Sequence, residues 1–281
     1  MPRGGGWVDG VWLAVGTLSV LPTPMPSRVD RVVGGRAMTI APLVGVVLGG
    51  ISAGIVALVH LVRPDAPLLA AVLGVLVLVV LSGALHLDGL ADFSDALGSR
   101  RDRETMLRIM KQSDIGPFGV VAITIVLLLD VAALTACIQS GFGWQAILIA
   151  TTASRLTLPW TCRTTVPSAR PDGLGATVAA TVRPITAAVT TIAVLAAALV
   201  LTWLTTPTTP PGDDPLPVDQ VASLDAQLLT GTAAAVLLAV AVSLLATRRA
   251  RTAIGGTTGD VLGATIELAL PVTLLTLALT A

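Results

Sequence analysis

Long apolar stretches, separated by short polar segments, make up most of this chain. Roughly 20 consecutive apolar residues are enough to cross the hydrocarbon core of a bilayer as a helix. Six stretches reach that length and each predicts a transmembrane helix: 37–62, 67–87, 117–138, 185–206, 228–246 and 262–280. The stretch 144–161 is a seventh candidate, and 7–22 is a weak eighth because it is short and contains Asp9. The pattern predicts an all-α, polytopic integral membrane bundle of about 7–8 transmembrane segments, with residues 1–281 forming a single membrane domain.

The composition supports a membrane protein and narrows the possible partners. The chain is 54% hydrophobic and 12% charged, with a mean hydropathy of +0.87, which lies outside the range of ordinary soluble domains. The expected surroundings are therefore a lipid bilayer. Because the formal net charge is zero, no general attraction to nucleic acid is expected. The sequence predicts no particular oligomeric state.

The distribution of Lys and Arg predicts which loops face the cytoplasm. Fourteen of the 17 basic residues lie in four of the segments between the apolar stretches, namely 23–36, 86–116, 162–184 and 247–261. Cytoplasmic loops of membrane proteins are enriched in Lys and Arg. The polar segment 86–116 is therefore predicted to be cytoplasmic and to carry the chemistry.

Three aspartates dominate the start of that segment, in the sequence His86-Leu-Asp-Gly-Leu-Ala-Asp-Phe-Ser-Asp95. In a helix, Asp88, Asp92 and Asp95 are spaced i, i+4 and i+7, which places three carboxylates on one face. Such a face suits Mg²⁺, which takes oxygen ligands from carboxylates and substrate phosphates. A solvated helix end is the alternative, but the small apolar residues between the acids argue against it.

A basic run follows, and its members suggest different roles. Arg101, Asp102, Arg103 and Glu104 fit an amphipathic surface helix whose charges pair with one another. Lys111 is the only lysine of the chain and precedes the turn that opens the next apolar stretch. Lysine and arginine are good phosphate partners. Asp114, in the same turn, fits a catalytic role and a helix N-cap equally well.

A glycine-rich turn, Gly255-Gly-Thr-Thr-Gly-Asp260, precedes the last apolar stretch. It lacks the Lys of a phosphate-binding loop of nucleoside triphosphatases. Its backbone N–H groups, with Gly259 at the start of the next helix, can hold an anion. Asp260 and Glu267 share one helix face, and a carboxylate two turns into a span costs roughly 2.5–3.5 kcal/mol unless it faces a partner or a polar cavity. Tight turning and packing is the alternative explanation of the glycines.

Two further charges lie inside apolar stretches. Asp130 and Arg155 are predicted to lie at similar depths in a helical hairpin, roughly 12 and 16 Å from its turn at about 1.5 Å per residue. A structural ion pair between the two helices is the leading explanation. The alternative is that Arg155 reaches a substrate phosphate.

Several long motifs in one order give the chain a specific resemblance. They are His86–Asp92, Arg108-Ile-Met-Lys-Gln-Ser-Asp-Ile-Gly116, Ser154-Arg155, and the stretch from Gly255 to Glu267. Together they resemble the adenosylcobinamide-GDP ribazoletransferase family, the cobalamin-5′-phosphate synthases, nearly from end to end. The resemblance implies transfer of the adenosylcobinamide phosphate moiety of adenosylcobinamide-GDP to α-ribazole or its 5′-phosphate. It also implies release of GMP, dependence on Mg²⁺, and a multi-pass protein of the bacterial plasma membrane.

With that chemistry, the candidate residues are assigned as follows. The expected metal ligands are Asp88, Asp92, Asp95 and Asp260, and the expected catalytic residues are Asp95 (as base), Lys111 and Asp114. The expected substrate-binding residues are His86, Arg100, Arg155, Gly259 and Glu267. A membrane phosphotransferase of the CDP-alcohol type and a transporter are the alternatives, but the first lacks its signature here. The second would place its charges near the bilayer midplane.

Overall fold

In the computed structural model, which describes residues 5–205 and 218–281, all regular structure is helical apart from two isolated β-bridges. The prediction of an all-α protein is confirmed. The helices, in chain order, are α1 (Gly5–Leu18), α2 (Arg31–Thr39), α3 (Ala41–Val62), α4 (Pro67–Leu81), α5 (Leu85–Gly98), α6 (Arg103–Ile109), α7 (Pro117–Gln139), α8 (Gly143–Arg155), α9 (Thr157–Thr161), α10 (Gly173–Val178), α11 (Pro184–Thr205), α12 (Val218–Ile254) and α13 (Gly259–Ala278).

Within residues 5–205 and 218–281, five helices are long and apolar enough to cross a membrane: α3, α7, α11, the Ala226–Ile254 part of α12, and α13. The bent pair of α4 and α5 is a sixth candidate if it is one broken span. A polytopic membrane protein is therefore confirmed, but the predicted number of 7–8 spans is not. The two missing candidates are short, since α1 has 14 residues and α8 has 13.

The helix boundaries follow from local sequence. Pro67, Pro117 and Pro184 open three helices, where a missing backbone N–H costs nothing. Asp102 caps α6, accepting hydrogen bonds from the backbone and the hydroxyl of Thr105. These bonds stabilise the ionised carboxylate and hold the pKa of Asp102 below its ordinary value.

The predicted span 67–87 is wrong at its end. Helix α4 stops at Leu81, and Gly83 and Ala84 adopt left-handed conformations with φ of 61° and 56°. Helix α5 then leaves at 86° to α4. Residues 85–87, which the hydrophobic pattern assigns to the end of this span, are therefore the first residues of α5, and α5 runs in a different direction.

Successive long helices reverse direction, so alternate loops gather at the same end of the bundle. We call the end formed by residues 19–40, 82–116, 162–183 and 255–258 the polar end. There, Arg103 donates hydrogen bonds to the carbonyl oxygens of Ile254 and Ala169, and the backbone N–H of Val20 donates to the Leu81 carbonyl. These contacts join loops that are far apart in the sequence.

Helix α1 lies at the polar end and does not cross the bundle. Gly10 packs on Arg36 of α2, and the segment after α1 reaches the end of α4. Asp9 is buried and accepts hydrogen bonds from the backbone and hydroxyl of Ser27, which lower its pKa. The weak candidate 7–22 is thus a helix and a loop held at one end of the molecule.

Helix α13 is the centre of the bundle. It packs against α5, α7, α8 and α12, and 72% of its most apolar window is buried, compared with 22–44% for the other four long helices. A second close pair is α3 with α8, where Gly45 and Gly49 bring α3 against the backbone of α8. The turn 255–258 at the polar end therefore leads directly into α13, the most buried of the long helices.

Candidate active site

The three aspartates of α5 lie on one face of the helix, as predicted, but in different surroundings. Asp88 is exposed, Asp92 is half-buried and Asp95 is buried. Helix α5 crosses α13 closely, since a Cβ at Gly89 would lie 2.9 Å from the carbonyl oxygen of Asp260. The small residue between the acids therefore allows the two helices to approach each other.

A cavity of about 280 Å³ lies at this crossing. Its walls come from α5, from the start of α13, from the loop before α10, and from the end of α1. Four predicted site residues line it: His86, Asp88, Gly259 and Asp260. The cavity joins the two predicted acidic motifs, which are 172 positions apart between Asp88 and Asp260.

Asp95 has a structural role that the sequence did not reveal. Its carboxylate oxygens accept hydrogen bonds from the backbone N–H of Gly116 at 2.7 Å and of Gly119 at 3.0 Å. These are donors at the start of α7, which a carboxylate satisfies well. Asp95 therefore fastens α5 to α7, and Gly116, with no side chain, supplies the N-cap that had been considered for Asp114.

The carboxylates form an electrostatically coupled group. Asp92 interacts unfavourably with Asp88, Asp95 and Asp260, and favourably with Arg170. Among the described residues, no three His, Cys, Asp or Glu side chains are close enough together to hold a metal ion as they stand. The predicted Mg²⁺ site therefore stays a prediction. Several carboxylates facing one cavity, with Arg170 as the cation among its lining residues, are nevertheless the donor set that a divalent cation would stabilise.

Arg170 is the main site residue that the sequence analysis missed. Its Nη2 donates to the carbonyl oxygen of Leu107 at 2.8 Å, and its Nη1 lies 3.7 Å from Oδ2 of Asp260. Its Nε is buried without a hydrogen-bond partner. Arg170 lines the cavity together with Asp172 and Leu174 of the same loop. The sequence signal for it is Arg170-Pro-Asp-Gly, a charged turn within the basic segment 162–184.

The basic run contributes one residue near the cavity. Lys111 Nζ lies 3.7 Å from Oδ2 of Asp172, which lines the cavity, so Lys111 stands at its edge. Arg100 and Asp114 are exposed and do not line the cavity. Neither forms a side-chain hydrogen bond or ion pair with another described residue.

The glycine-rich turn is held by backbone contacts. Thr257 pairs with the loop before α10, donating to the Pro167 carbonyl and accepting from the Ala169 N–H, both at 2.9 Å. A Cβ at Gly256 would collide with that loop. Thr258 caps α13 and its hydroxyl also contacts Asp260. The turn thus brings the Arg170 loop against α13.

Beneath the cavity lies a buried group of charges. Nδ1 of His86 is 3.9 Å from Oε1 of Glu267, and both side chains are more than nine-tenths buried. Asp130, Arg155 and Glu267 line a second, small cavity. Arg155 interacts electrostatically with Asp130 and Glu267, but no ion pair within 4 Å joins it to either. The proposed direct pair of Asp130 and Arg155 is therefore wrong: both oxygens of Asp130 lack hydrogen-bond partners.

The fold and the cavity define a class, a polytopic membrane protein with acidic and basic side chains around one cavity at its polar end. The chain belongs to the cobalamin-5-phosphate synthase family, whose model matches residues 10–278. The resemblance seen in the sequence is confirmed, and so is its class of activity, a transferase of cobalamin biosynthesis.

Curated relatives agree with the family. An adenosylcobinamide-GDP ribazoletransferase of Frankia casuarinae is 41% identical over 94% of this chain and 92% of its own length. Relatives with the same name from a Nocardioides species and from Pseudomonas paraeruginosa are each 37% identical, over 95% and 93% of this chain and 97% and 91% of their own lengths. No solved structure matches the chain.

Proposed function

We propose that this chain transfers the adenosylcobinamide phosphate moiety of adenosylcobinamide-GDP to α-ribazole or α-ribazole 5′-phosphate, with release of GMP. The observation that carries the proposal is the similarity to ribazoletransferases over almost the whole chain. The cavity supports it, because acidic residues of α5 and α13 face Arg170 there. Its position at the polar end fits an enzyme better than a transporter, whose charges are expected near the midplane.

The residues around the cavity suit phosphoryl transfer, which depends on positioning and charge neutralisation. Asp88, Asp92 and Asp260 would hold Mg²⁺, which neutralises phosphate charge when bound. Arg170, in the cavity wall, and Lys111, at its edge, would hold phosphate oxygens. The binding role first given to Arg155 and Glu267 is less direct, because neither lines this cavity.

The base for the ribazole hydroxyl is better sought in Asp88 or Asp92 than in Asp95. Both oxygens of Asp95 already accept backbone hydrogen bonds, and Asp95 does not line the cavity. Asp88 lines the cavity and Asp92 is half-buried beside it. Either carboxylate could take the hydroxyl proton while Arg170 balances the charge.

We further propose that the protein lies in the bacterial plasma membrane with its polar end in the cytoplasm. The support is that 11 of the 17 Lys and Arg residues lie in the segments of that end, and that three more, Arg248, Arg249 and Arg251, lie in the last turns of α12 beside it. Adenosylcobinamide-GDP is large and its diphosphate is charged, so it would reach the cavity from the aqueous side.

The activity is tested with the full chain purified in detergent. Adenosylcobinamide-GDP and α-ribazole 5′-phosphate are supplied with and without Mg²⁺, and the corrinoid product and GMP are separated by chromatography. Equal amounts of corrinoid product and GMP, formed only with a divalent cation, are expected. Product formation in excess EDTA would reject Mg²⁺ dependence, and absence of GMP release would reject the transfer itself.

A further inference from the structure

A basic groove lies at the polar end on the far side of α10 from the cavity. It has a volume of about 690 Å³ and is formed by α1, α2 and the segment that leads into α11. It is lined by Trp7, Arg31, Val32, Gly35, Arg36, Thr39, Ala180, Thr181, Val182, Arg183 and Thr186. No carboxylate is among these residues.

Three guanidinium groups border the groove. Arg31 donates to the carbonyl oxygens of Ala176 and Ala179, at 2.7 and 2.6 Å, which keeps its positive charge uncompensated. Arg36 stacks on Trp7 at 5.1 Å from the ring centroid. Within the described part of the chain, none of the three arginines lies within 4 Å of a carboxylate. Asp30 acts on Arg36 from a longer distance.

Arg183 is the least constrained of the three. It is exposed and directly precedes Pro184, the first residue of α11. Three like charges around one groove repel one another, and an anion between them would remove that repulsion. Arginine also matches phosphate geometry through bidentate hydrogen bonds. The expected ligand group is therefore a phosphate.

A separate, apolar groove lies further along α11 from the basic one. It lies between α3, α8 and α11 and has a volume of about 170 Å³. It is lined by Val46, Leu148, Ile149, Thr152, Val194, Ala197, Ala198 and Leu201. Thr186, in the basic groove, precedes Ala198 by 12 positions in α11, or about 18 Å along a helix. One leaflet of a bilayer has about 15 Å of hydrocarbon, so the apolar groove lies at acyl-chain depth.

The outward face of α11, roughly opposite the face that lines the apolar groove, is also apolar. Ile185, Val189 and Ile192 on that face are each more than half exposed, as is typical of side chains that face lipid. Trp7 is 56% exposed at the level of the arginines, where tryptophan is enriched at membrane interfaces. A soluble phosphate compound would use the basic groove only. A phospholipid would use both.

We propose that these two grooves together bind one anionic phospholipid, its phosphate between Arg36 and Arg183 and an acyl chain between α3, α8 and α11. The same lipid would brace α10. Arg31 reaches the end of this helix from the groove, and Leu174 and Gly175 line the cavity on its other side.

The test compares lipid binding by native mass spectrometry. The full chain in detergent is mixed with equal amounts of dioleoyl-phosphatidylglycerol and dioleoyl-phosphatidylcholine, and the ratio of one-lipid adducts is measured. A preference for phosphatidylglycerol is expected. Arg183→Gln should lower that preference about fivefold, because one basic residue near an anionic lipid typically changes the binding constant by about that factor. The double variant Arg36→Gln with Arg183→Gln should lower it further.

Arg249→Gln is the matched control, because Arg249 is exposed at the polar end of α12 and lies outside the groove. It should leave the ratio unchanged. Equal binding of the two lipids by the unaltered chain would overturn the proposal. So would a preference that Arg183→Gln and Arg249→Gln leave equally intact.

A second arm separates a lipid from a soluble phosphate. Ala197 and Ala196 are both exposed on α11, but only Ala197 lines the apolar groove. Ala197→Phe should reduce phosphatidylglycerol adducts while Ala196→Phe does not, and millimolar glycerol 3-phosphate should fail to displace the lipid. If glycerol 3-phosphate displaces it and Ala197→Phe has no effect, the basic groove binds a soluble phosphate, and the lipid proposal is wrong.

Discussion

At the residue scale, three aspartates that share one helix face have three different environments. The i, i+4, i+7 pattern predicted that Asp88, Asp92 and Asp95 share a face of α5, and they do. It could not predict their roles, because these depend on what other helices bring. Helix α7 brings two backbone N–H groups to Asp95, whereas α13 brings Asp260 towards Asp88. Whether an aspartate has a structural role or is a candidate metal ligand therefore depends on its burial and its hydrogen-bond partners, which the helical spacing does not show.

Asp88→Asn and Asp92→Asn should each lower transfer by roughly two decades at saturating Mg²⁺, because a neutral amide cannot replace the charge that holds the cation against a diphosphate. Turnover and thermal unfolding are measured on the same purified variants. Glu104→Gln, which alters an exposed acid of the first turn of α6, should retain full activity. Near-normal turnover of both aspartate variants would remove this face from the active site.

Arg170→Gln should raise KM for adenosylcobinamide-GDP by roughly tenfold or more, since a charged hydrogen bond to phosphate is lost. Arg170→Lys should recover part of the loss because it keeps the charge. Arg108→Gln, at an exposed position of α6, is the control. Because Arg170 also holds the Leu107 carbonyl, melting temperatures are recorded as well. A lower melting temperature with unchanged KM would show a structural role only.

At the element scale, the sequence predicted most helices and few of their crossings. A helix was predicted at α5, and its small residues Gly89 and Ala91 were interpreted as support for a metal site. The structure gives a packing reason: Gly89 lies against α13, and Ala91 lies against Gly119 of α7. Hydrophobic patterns report the environment of a single helix, whereas a crossing depends on pairs of positions far apart in the chain. The loop containing Arg170 was missed for the same reason.

Gly89→Ala should destabilise the protein by about 1–3 kcal/mol, because its Cβ would press on the backbone of α13 and neither helix can move freely. Gly54→Ala in α3 is the matched control, since nothing lies within 4 Å of a Cβ there. That change should be neutral or stabilise by about 0.5–1 kcal/mol. Thermal unfolding in one detergent compares them. Equal melting temperatures would contradict the close crossing.

The buried charges give a second prediction at this scale. Arg155→Ala should cost more stability than Asp130→Ala, because Arg155 is the cation between two buried carboxylates, whereas Glu267 still faces Arg155 when Asp130 is absent. Removing one member of a buried charge group typically costs about 3–5 kcal/mol. Arg155→Ala with Asp130→Ala should recover part of that loss. A double-mutant cycle on thermal unfolding is the measurement, and additivity within about 0.5 kcal/mol would refute the coupling.

At the scale of the whole molecule, charge and hydropathy predicted the arrangement better than the number of spans. The loops rich in Lys and Arg do gather at one end, where Arg103 joins two of them. The predicted number of 7–8 spans is not confirmed, because the segments 7–22 and 144–161 form helices that are too short to count as candidate spans. Helix α4 ends inside the predicted span 67–87, and Gly83 and Ala84, which have positive φ, turn the chain into α5. Hydrogen bonds between Asp9 and Ser27 help to hold another predicted segment, 7–22, at the polar end.

Cysteine labelling tests this arrangement in intact cells. In a background with alanine at Cys137 and Cys162, both buried, single cysteines are placed at Ser99, Thr252 and Ser140. The first two lie at the polar end and the third follows α7 at the opposite end. An impermeant maleimide should label position 140 from outside and positions 99 and 252 only after the membrane is opened. If positions 99 and 252 react from outside and 140 does not, the fold stands and the orientation is reversed. If positions 99 and 252 are labelled from different sides of the membrane, the conclusion that these two segments lie at the same end of the bundle is wrong.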